Sequence, residues 1–378
     1  MKKEYRIIIS GGGTGGHIFP ALSIADAIKR KHPAAKILFV GADNRMEMQR
    51  VPDAGYEIKG LPIAGFDRKN PLKNIKVLWL ILKSQRMAKK IIKDFAPHVA
   101  VGVGGYASGP TLKMAASMGI PTLIQEQNSY AGVTNKILSK SAKMICVAYD
   151  GMERFFPQEK IRLTGNPVRK NLLEMRANRK EAMKAMNLDE EKKCVLIVGG
   201  SLGARSINEG IIASIEKIRA NKEIQFIWQT GKLYFEEMKR RAGEVGKPEN
   251  LTITDFVSDM ANALSAANLV VSRAGAGSIS EFALLGKAVI LVPSPNVSED
   301  HQTKNAMALV DKDAAIYVAD ANVNEELIDK AVETVNDTMK IALLEANIQK
   351  MGKPDAASEI ADEVLKLADA YIEKNTRR

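Results

Sequence analysis

The chain has 378 residues, of which 46% are hydrophobic and 26% are charged, a balance typical of folded globular proteins rather than of disordered ones. Lysine and arginine exceed the acidic residues by 55 to 44, and the net charge of +11 favours an anionic partner such as a phosphate-bearing ligand or an anionic membrane. A nucleic acid is disfavoured, because only 5% of the residues are aromatic and no zinc-finger or RNP-like pattern is present.

Short β-branched apolar runs alternate with amphipathic helical patterns along the chain, which predicts βαβ units and parallel sheets. The first run follows two lysines but leads straight into glycines, so we interpret it as a buried strand rather than a signal peptide. No run reaches the ~20 apolar residues that span a bilayer, so we expect a protein that is neither secreted nor transmembrane. The predicted strands are YRIIIS, AKILFV, HVAVGV, PTLIQE, KMICVA, KKCVLIV, EIQFIW, NLVVS, AVILVP and AAIYVA.

The strand series restarts after a polar helical stretch, which predicts two doubly wound domains. We expect a first domain over residues 1–166 and a second over 167–350. A final amphipathic helix, at about 353–374, is expected to pack back on the first domain. The two cysteines, Cys146 and Cys194, fall within predicted strands, so we expect buried thiols in a reducing cytosol rather than a disulfide.

Four glycine-rich segments each follow a predicted strand and open a helix. Glycines let a ligand approach the backbone closely, and a helix N-terminus supplies free N–H donors with a partial positive charge, so the pattern suits phosphate binding. One such segment alone could equally be a tight turn or, for the first, a dinucleotide fingerprint. Their recurrence in both domains favours two phosphate-bearing ligands at the carboxyl ends of the strands. The segments are 11–17, 102–110, 199–205 and 273–281.

In order and spacing, eight segments of the sequence resemble the MurG family of glycosyltransferases. They are GGGTGGH, GVGGYASGP, QEQNSYAGVTNK, LTGNPVR, GGSLGA, DFVSDM, RAGAGSISE and DHQTKNA. The resemblance covers nearly the whole chain and implies a GT-B fold, an α/β architecture of two Rossmann-like doubly wound parallel-sheet domains facing across a cleft. The first domain would bind the acceptor and the membrane, and the second would bind the UDP-sugar.

The activity that the resemblance implies is an inverting transfer of N-acetylglucosamine from UDP-N-acetylglucosamine to undecaprenyl-diphospho-muramoylpentapeptide, or lipid I. The product would be lipid II of peptidoglycan biosynthesis, on which the cell wall, cell shape and cell division depend. The enzyme would be a peripheral protein on the cytoplasmic side of the cell membrane, in contact with anionic lipid. No cofactor and no nucleic acid is expected.

The resemblance also implies the residues that bind the donor. Arg169 would contact the donor from the interdomain linker, and Ser201 would contact its diphosphate. Val257 would hold the uracil through its backbone, and the Glu281 carboxylate would accept hydrogen bonds from the ribose hydroxyls. The other implied donor residues are Thr14, Gly15, Gly16, Asn128, Ala276, Gly277, Ser278, Ile279, Ser280 and Gln302.

Attack by an acceptor hydroxyl on the anomeric carbon requires a group that takes the proton. His17 is the candidate base, because an imidazole titrates near neutrality and lies beside the first glycine segment. Two alternatives stay open: Glu126 is the base, or His17 only binds a phosphate or orients Asn128. The acceptor is expected to contact the second segment, at Gly104, Gly105, Tyr106 and Ser108.

The departing diphosphate would be stabilised by the N-terminal dipole of the helix that begins near Ser278. A bound metal would be the other solution, but no His or Cys spacing indicates a metal site. Asp311 and Asp313 do spell D-x-D, but their position after a helix favours a solvated turn. We therefore expect no metal.

Residues 73–93 combine apolar side chains with cations, which predicts docking on anionic lipid. The alternative is an ordinary amphipathic helix that packs on the sheet and has a solvated face. The expected membrane contacts are Ile75, Leu78, Trp79, Leu82, Lys83 and Arg86.

Three other functions remain open from the sequence alone. A related GT-B transferase could use diacylglycerol or another lipid as acceptor. A UDP-N-acetylglucosamine 2-epimerase would leave the basic apolar stretch without a role. A UDP-sugar-binding regulator would bind the donor without turnover and would leave His17 without a role.

Overall fold

The computed structural model describes residues 4–63, 74–168, 178–200 and 202–377. The chain divides into two compact units. The first comprises Met1–Arg169 and Lys353–Arg378, and the second comprises Lys170–Gly352. Each unit has its own parallel sheet with accompanying helices, so the predicted class of two Rossmann-like domains is confirmed.

The first unit contains a seven-stranded parallel sheet. Its strands are β1 (Arg6–Ser10), β2 (Lys36–Ala42), β3 (Glu57–Leu61), β4 (Val99–Gly102), β5 (Thr122–Glu126), β6 (Met144–Val147) and β7 (Ile161–Leu163). The strand order is β3-β2-β1-β4-β5-β6-β7. Because the chain builds outward from β1 in one direction and then from β4 in the other, the switch in direction lies between these two strands.

Helices cover both faces of this sheet. They are α1 (Gly15–Lys31), α2 (Glu47–Asp53), α3 (Asn74–Phe95), α4 (Ser108–Ser117), α5 (Val133–Leu138) and the C-terminal helix (Ala356–Thr376). Successive strand residues face opposite sides. Ile7 and Ile9 share a core with α1 and the C-terminal helix, whereas Ile8 packs with residues of α3 and α4.

The second unit contains a six-stranded parallel sheet. Its strands are β8 (Lys193–Val198), β9 (Ile224–Gln229), β10 (Leu251–Thr254), β11 (Leu269–Ser272), β12 (Val289–Leu291) and β13 (Ile316–Tyr317). The strand order is β10-β9-β8-β11-β12-β13, which puts the switch point between β8 and β11.

The helices of the second unit follow its strands in turn. They are α6 (Arg179–Ala185), α7 (Arg205–Ala213), α8 (Ile215–Ala220), α9 (Phe235–Glu244), α10 (Met260–Ala266), α11 (Ala276–Leu285), α12 (His301–Val310), α13 (Val323–Asn336) and α14 (Thr338–Gln349). Phe226 and Trp228 on β9 are fully buried and anchor the core beneath α7 and α13. The Trp228 indole N–H donates to the side-chain oxygen of Asn208 at 3.0 Å, so its polar atom is satisfied inside the core.

The sequence-based prediction lacks three strands that the structure contains, namely β3, β7 and β10. All three are edge strands. Their side chains are largely exposed or only half-buried, in contrast to the continuous burial of β4 and β5. Exposed positions in these three strands break the continuous apolar run by which a buried strand is recognised, whereas the remaining edge strand, β13, lies within the apolar run AAIYVA.

Both cysteines are free and buried. Burial raises the pKa of the Cys146 and Cys194 thiols to about 12, which keeps them protonated and unreactive at neutral pH. Within the described part of the chain, no helix combines the length and the apolar character that crossing a membrane requires.

Ile360→Ala should lower the free energy of unfolding of the first unit by about 2–5 kcal/mol, because it removes fully buried methyl groups from the core under the C-terminal helix. Chemical denaturation followed by circular dichroism measures this change. Ile137→Ala removes the same atoms from a side chain that is 67% exposed, so it should change stability by less than about 0.5 kcal/mol. Equal effects of the two substitutions would contradict this packing.

Candidate functional site

The loops after β1 and β4 meet at the switch point of the first sheet. The Val103 N–H donates to the Ser10 carbonyl at 2.9 Å, which joins the ends of the two strands. Gly105 has a φ of +81°, and a Cβ at this position would collide with the Gly12 backbone. Only glycine permits this approach. The first and second glycine segments therefore form one structure, at the edge where α/β sheets bind ligands.

His17 lies in the first turn of α1 and is held between these two loops. Its Nδ1 atom lies 3.3 Å from the Thr14 hydroxyl oxygen, and its backbone N–H donates to the Thr14 carbonyl at 3.1 Å. On the other side, a Cβ at Gly104 would stand 2.7 Å from His17 Nε2. The structure thus brings together three predicted site residues, Thr14, His17 and Gly104. Gly15 and Gly16 form the first two positions of the same helix.

Glu126 ends β5 and is buried beneath the loop that follows it. Its carboxylate accepts hydrogen bonds from the backbone N–H groups of Asn128 and Gly132 and from the side-chain amides of Asn128 and Asn135, at 2.8–3.3 Å. Burial raises the pKa of Glu126, and these N–H donors oppose that shift because they stabilise the carboxylate. A carboxylate engaged in this way orients the loop that carries Asn128, so its geometry favours a structural role over that of a base.

The predicted acceptor residues of the second segment differ in their surroundings. Tyr106 is exposed, so its acceptor contact stays a prediction. Ser108 is fully buried, and its hydroxyl lies 2.6 Å from the Ser10 carbonyl oxygen and 2.9 Å from that of Gly104. Its side chain supports the loop from below and has no exposed surface, and its contact with the acceptor stays a prediction.

Glu47 is a residue of this edge that the sequence-based prediction missed. It begins α2 and is 1% exposed, and its two carboxylate oxygens accept from the backbone N–H groups of Gly13 and Ala42. The glutamate lies outside every recognised motif. The one local signal is its position shortly after β2, at the same sheet edge as the first glycine segment.

The third glycine segment packs tightly against the loop after β9. Gly203 has a φ of +84°, and a Cβ at this position would collide with the Thr230 carbonyl. The Gly200 carbonyl accepts from the Gly203 N–H and from the Gln229 side chain, both at 2.9 Å. Apart from the chain neighbours of Gly200, no described residue has a heavy atom within 4 Å of a Cβ built on it.

The fourth segment opens α11 at the switch point of the second sheet. Among the described residues, apart from chain neighbours and the backbone of the helix itself, no heavy atom lies within 4 Å of a Cβ built on Gly275 or Gly277. The first turn has no acidic residue, and the first backbone N–H groups of a helix lack intrahelical partners. The helix N-terminus is therefore suited to a phosphate group.

The remaining predicted donor residues lie at the same edge, but two of them offer no polar side chain. The Ile279 side chain is buried, as is that of Val257, which leaves only backbone contacts to these residues. The Ser280 hydroxyl donates to the Ala276 carbonyl at 2.9 Å, and the Gln302 side-chain oxygen accepts from the Ser294 N–H at 2.9 Å. These contacts hold the loops in place.

Arg273 is a second supporting residue, whose role the sequence-based prediction did not identify. Its guanidinium donates to Asp320 at 2.5 Å, to the Ser206 hydroxyl at 2.8 Å and to the Val292 carbonyl at 3.0 Å. These partners belong to α7, to the loop after β12 and to the turn before α13. One largely buried cation thus ties together the loops that surround the N-terminus of α11.

Three parts of the prediction fall outside the described residues: Arg169, Ser201 and the side chain of Ile75. Among the residues that are described, no group of three or more His, Cys, Asp or Glu side chains is arranged to hold a metal ion. Asp311 and Asp313 lie in a turn after α12.

The described part of α3 is amphipathic in the way that the sequence predicts. Val77, Ala88 and Ile92 are buried, whereas the opposite side exposes both apolar and basic side chains. The Lys83 ammonium lies 5.3 Å from the centre of the Trp79 ring. The exposed apolar side chains are Leu78 (55%), Trp79 (60%) and Leu82 (56%), and the exposed cations beside them are Lys83, Arg86, Lys89, Lys90 and Lys93.

Two family models match the chain. The glycosyltransferase family 28 N-terminal domain matches residues 7–147, and the glycosyltransferase family 28 C-terminal domain matches residues 194–360. The first match lies within the first unit, and the second covers most of the second unit. Two doubly wound sheets with glycine loops at both switch points, matched by these models, define a glycosyltransferase of family 28.

Named relatives narrow this class. The chain is 65% identical over 377 residues to the UDP-N-acetylglucosamine–N-acetylmuramyl-(pentapeptide) pyrophosphoryl-undecaprenol N-acetylglucosamine transferase of Phocaeicola vulgatus, with 100% of both chains covered. It is 63% identical over 370 residues to the protein of the same name from Bacteroides thetaiotaomicron, covering 98% of this chain and 100% of the relative. The crystal structure of Acinetobacter baumannii MurG matches with a TM-score of 0.77 and 29% identity, covering 96% of this chain and 99% of that one. The chain belongs to the MurG family.

Glu126→Gln should lower the free energy of unfolding by about 1–3 kcal/mol, because the new amide nitrogen would face N–H donors inside the protein and leave at least one of them unpaired. Thermal and chemical denaturation measure the loss. Glu159→Gln makes the same change at an exposed position and should be nearly neutral. Wild-type stability of the Glu126 variant would show that the carboxylate does not hold this loop.

Proposed function

We propose that this protein transfers N-acetylglucosamine from UDP-N-acetylglucosamine to lipid I and thereby forms lipid II. Membership of the MurG family supports this assignment, because the named relatives at 63–65% identity are transferases of this type and match over their full length. The observation that carries the proposal is that each of the two sheets has, at its carboxyl edge, groups suited to one of the two substrates. One offers an open helix N-terminus, and the other offers a histidine held between two glycine loops.

The second unit is the proposed donor-binding domain. The open N-terminus of α11 would take the diphosphate, since its free N–H groups and dipole favour an anion. Glu281, two turns into the same helix, would accept from the ribose hydroxyls. The uracil would be read by the backbone at Val257, whose side chain is buried. Arg169 and Ser201 are included in the proposal because they lie in the segments LTGNPVR and GGSLGA, which resemble the MurG family.

The first unit is the proposed acceptor domain. An acceptor hydroxyl attacks the anomeric carbon of N-acetylglucosamine, the new C–O bond forms, and the bond to UDP breaks with inversion at that carbon. His17 takes the proton that the hydroxyl loses, and the electron pair of the broken bond leaves with the diphosphate. Glu126 is the weaker candidate, because its carboxylate is buried and already engaged by N–H donors.

A peripheral position at the cytoplasmic face of the membrane completes the proposal. The acceptor carries an undecaprenyl chain, so the enzyme must work at a lipid surface. The exposed side of α3 offers apolar side chains for the headgroup region and cations for anionic lipid. If this face of α3 were only solvated, three large apolar side chains that are more than half exposed would have no role there.

Transfer is tested with radiolabelled UDP-N-acetylglucosamine and a lipid I analogue. The wild type should form labelled lipid product, and His17→Ala should lower kcat by about 100-fold to 10,000-fold, which is the usual contribution of a general base. The control is His32→Ala at the end of α1, which should keep wild-type turnover. Full activity of the His17 variant would remove this residue as the base. Donor binding without any transfer by the wild type would refute the lipid I assignment.

Membrane docking is tested by sedimentation with vesicles of anionic phospholipid. A variant with Leu78, Trp79 and Leu82 replaced by serine should lose at least about tenfold in partitioning, because each exposed apolar side chain that enters the headgroup region contributes to binding. The control replaces Met339 and Leu343, which are also exposed but lie on α14. Equal partitioning of both variants would rule out α3 as the docking surface.

A further inference from the structure

Glu47 is an ionisable side chain deep in the protein that the mechanism above does not use. It is 1% exposed, and no lysine or arginine among the described residues forms an ion pair with it. Burial of a carboxylate without a cation is unfavourable unless hydrogen bonds replace the lost water. Its carboxylate accepts hydrogen bonds from two backbone N–H groups: Gly13 donates to Oε2 at 2.8 Å, and Ala42 donates to Oε1 at 3.0 Å.

Two glycines pack directly against the Glu47 side chain. A Cβ on Gly12 would overlap the Glu47 carboxyl group, and a Cβ on Gly41 would stand 2.6 Å from Glu47 Cγ. On its other side, Gly12 is covered by Gly105 of the second loop. The first glycine loop is therefore clamped between the Glu47 carboxylate and the second loop.

The chemistry of this contact requires a carboxylate. Two N–H donors face the two oxygens, and an ionised glutamate is the side chain of this length that accepts at both positions. A glutamine of the same shape would place an NH₂ group against one of the donors. One buried N–H would then lose its partner, and the loop would shift away from its place.

Residues 13–17 connect this contact to the proposed base. Gly13 is followed directly by Thr14, whose hydroxyl oxygen lies 3.3 Å from His17 Nδ1 and whose carbonyl accepts from the His17 N–H. We propose that Glu47 is a positioning residue, which fixes the first glycine loop through Gly13 and so sets the place of Thr14 and His17 for the acceptor. The inference rests on the proposed function for its reaction, but the geometry that it describes belongs to the first unit alone.

Glu47→Gln is compared with Glu57→Gln, which makes the same change on β3 at an exposed glutamate paired with Lys59. In the transfer assay, Glu47→Gln should lower kcat by ~10- to 100-fold, because a displacement of about 1 Å in a reacting group has effects of this size. Its affinity for UDP should stay within about twofold of the wild type, since the diphosphate and uracil are proposed to bind to the second unit. The control, Glu57→Gln, should match the wild type in both kcat and affinity. Unchanged kcat in Glu47→Gln would overturn the inference.

A double-mutant cycle with His17→Ala separates positioning from general destabilisation. If Glu47 acts through the loop that carries His17, the double variant should be about as slow as His17→Ala alone, whereas additive losses would contradict the inference. Should Glu47→Gln fold poorly, Gly41→Ala provides a second perturbation, because its Cβ displaces the Glu47 side chain and keeps the charge. Gly41→Ala should then show the same loss of kcat with intact affinity for UDP, and wild-type kcat would count against the proposal.

A spectroscopic readout keeps the inference independent of the reaction. The chain has 4 histidines, so the imidazole signals can be assigned in protein labelled only at histidine. Glu47→Gln should shift the His17 ring signals, and Glu57→Gln should leave them in place. If the wild type transfers no sugar, the proposed function fails, and the His17 signals still decide the inference: a shift supports the positioning role, and unchanged signals overturn it.

Discussion

The carboxyl edge of a parallel sheet is the feature around which both units are organised. Every strand of such a sheet ends at the same edge, and at a switch point the chain leaves two neighbouring strands towards opposite faces of the sheet. In the first sheet this point lies between β1 and β4, and in the second it lies between β8 and β11. All four glycine-rich segments begin there, so the position of these segments follows from the topology of the two sheets.

Close backbone approach is the second requirement, and it explains why glycines cluster at these points. At Gly105 and Gly203 a side chain would collide with a neighbouring loop, and both residues have positive φ. At Gly275 and Gly277 packing gives no such reason, because no described residue other than chain neighbours and the helix's own backbone lies within 4 Å of a Cβ built there. One residue type is thus required by packing in some positions and not in others. Only the surroundings distinguish the two cases.

Polar side chains beneath the loops hold these backbone conformations. Glu126 accepts from N–H groups of the loop after β5, Glu47 does the same for the loop after β1, and Arg273 joins loops of the second unit. Such buried groups are satisfied almost entirely within the protein, so the loss of one partner leaves another group unpaired. This arrangement fixes the backbone of the loops at the carboxyl edge of each sheet.

The sequence by itself determined the two-domain parallel class, the central strands and the positions of the four glycine-rich segments, because strands buried on both faces carry continuous apolar runs and glycine segments follow them directly. It did not reveal the edge strands β3, β7 and β10, whose exposed sides break those runs. The roles of Glu47 and Arg273 also needed the tertiary structure. Their partners lie 34 residues away at Gly13 and 47 residues away at Asp320, and hydrogen bonds to a distant backbone or side chain leave no local pattern. The burial of Ser108 was decided in the same way, since only the folded sheet sets its hydroxyl against Ser10.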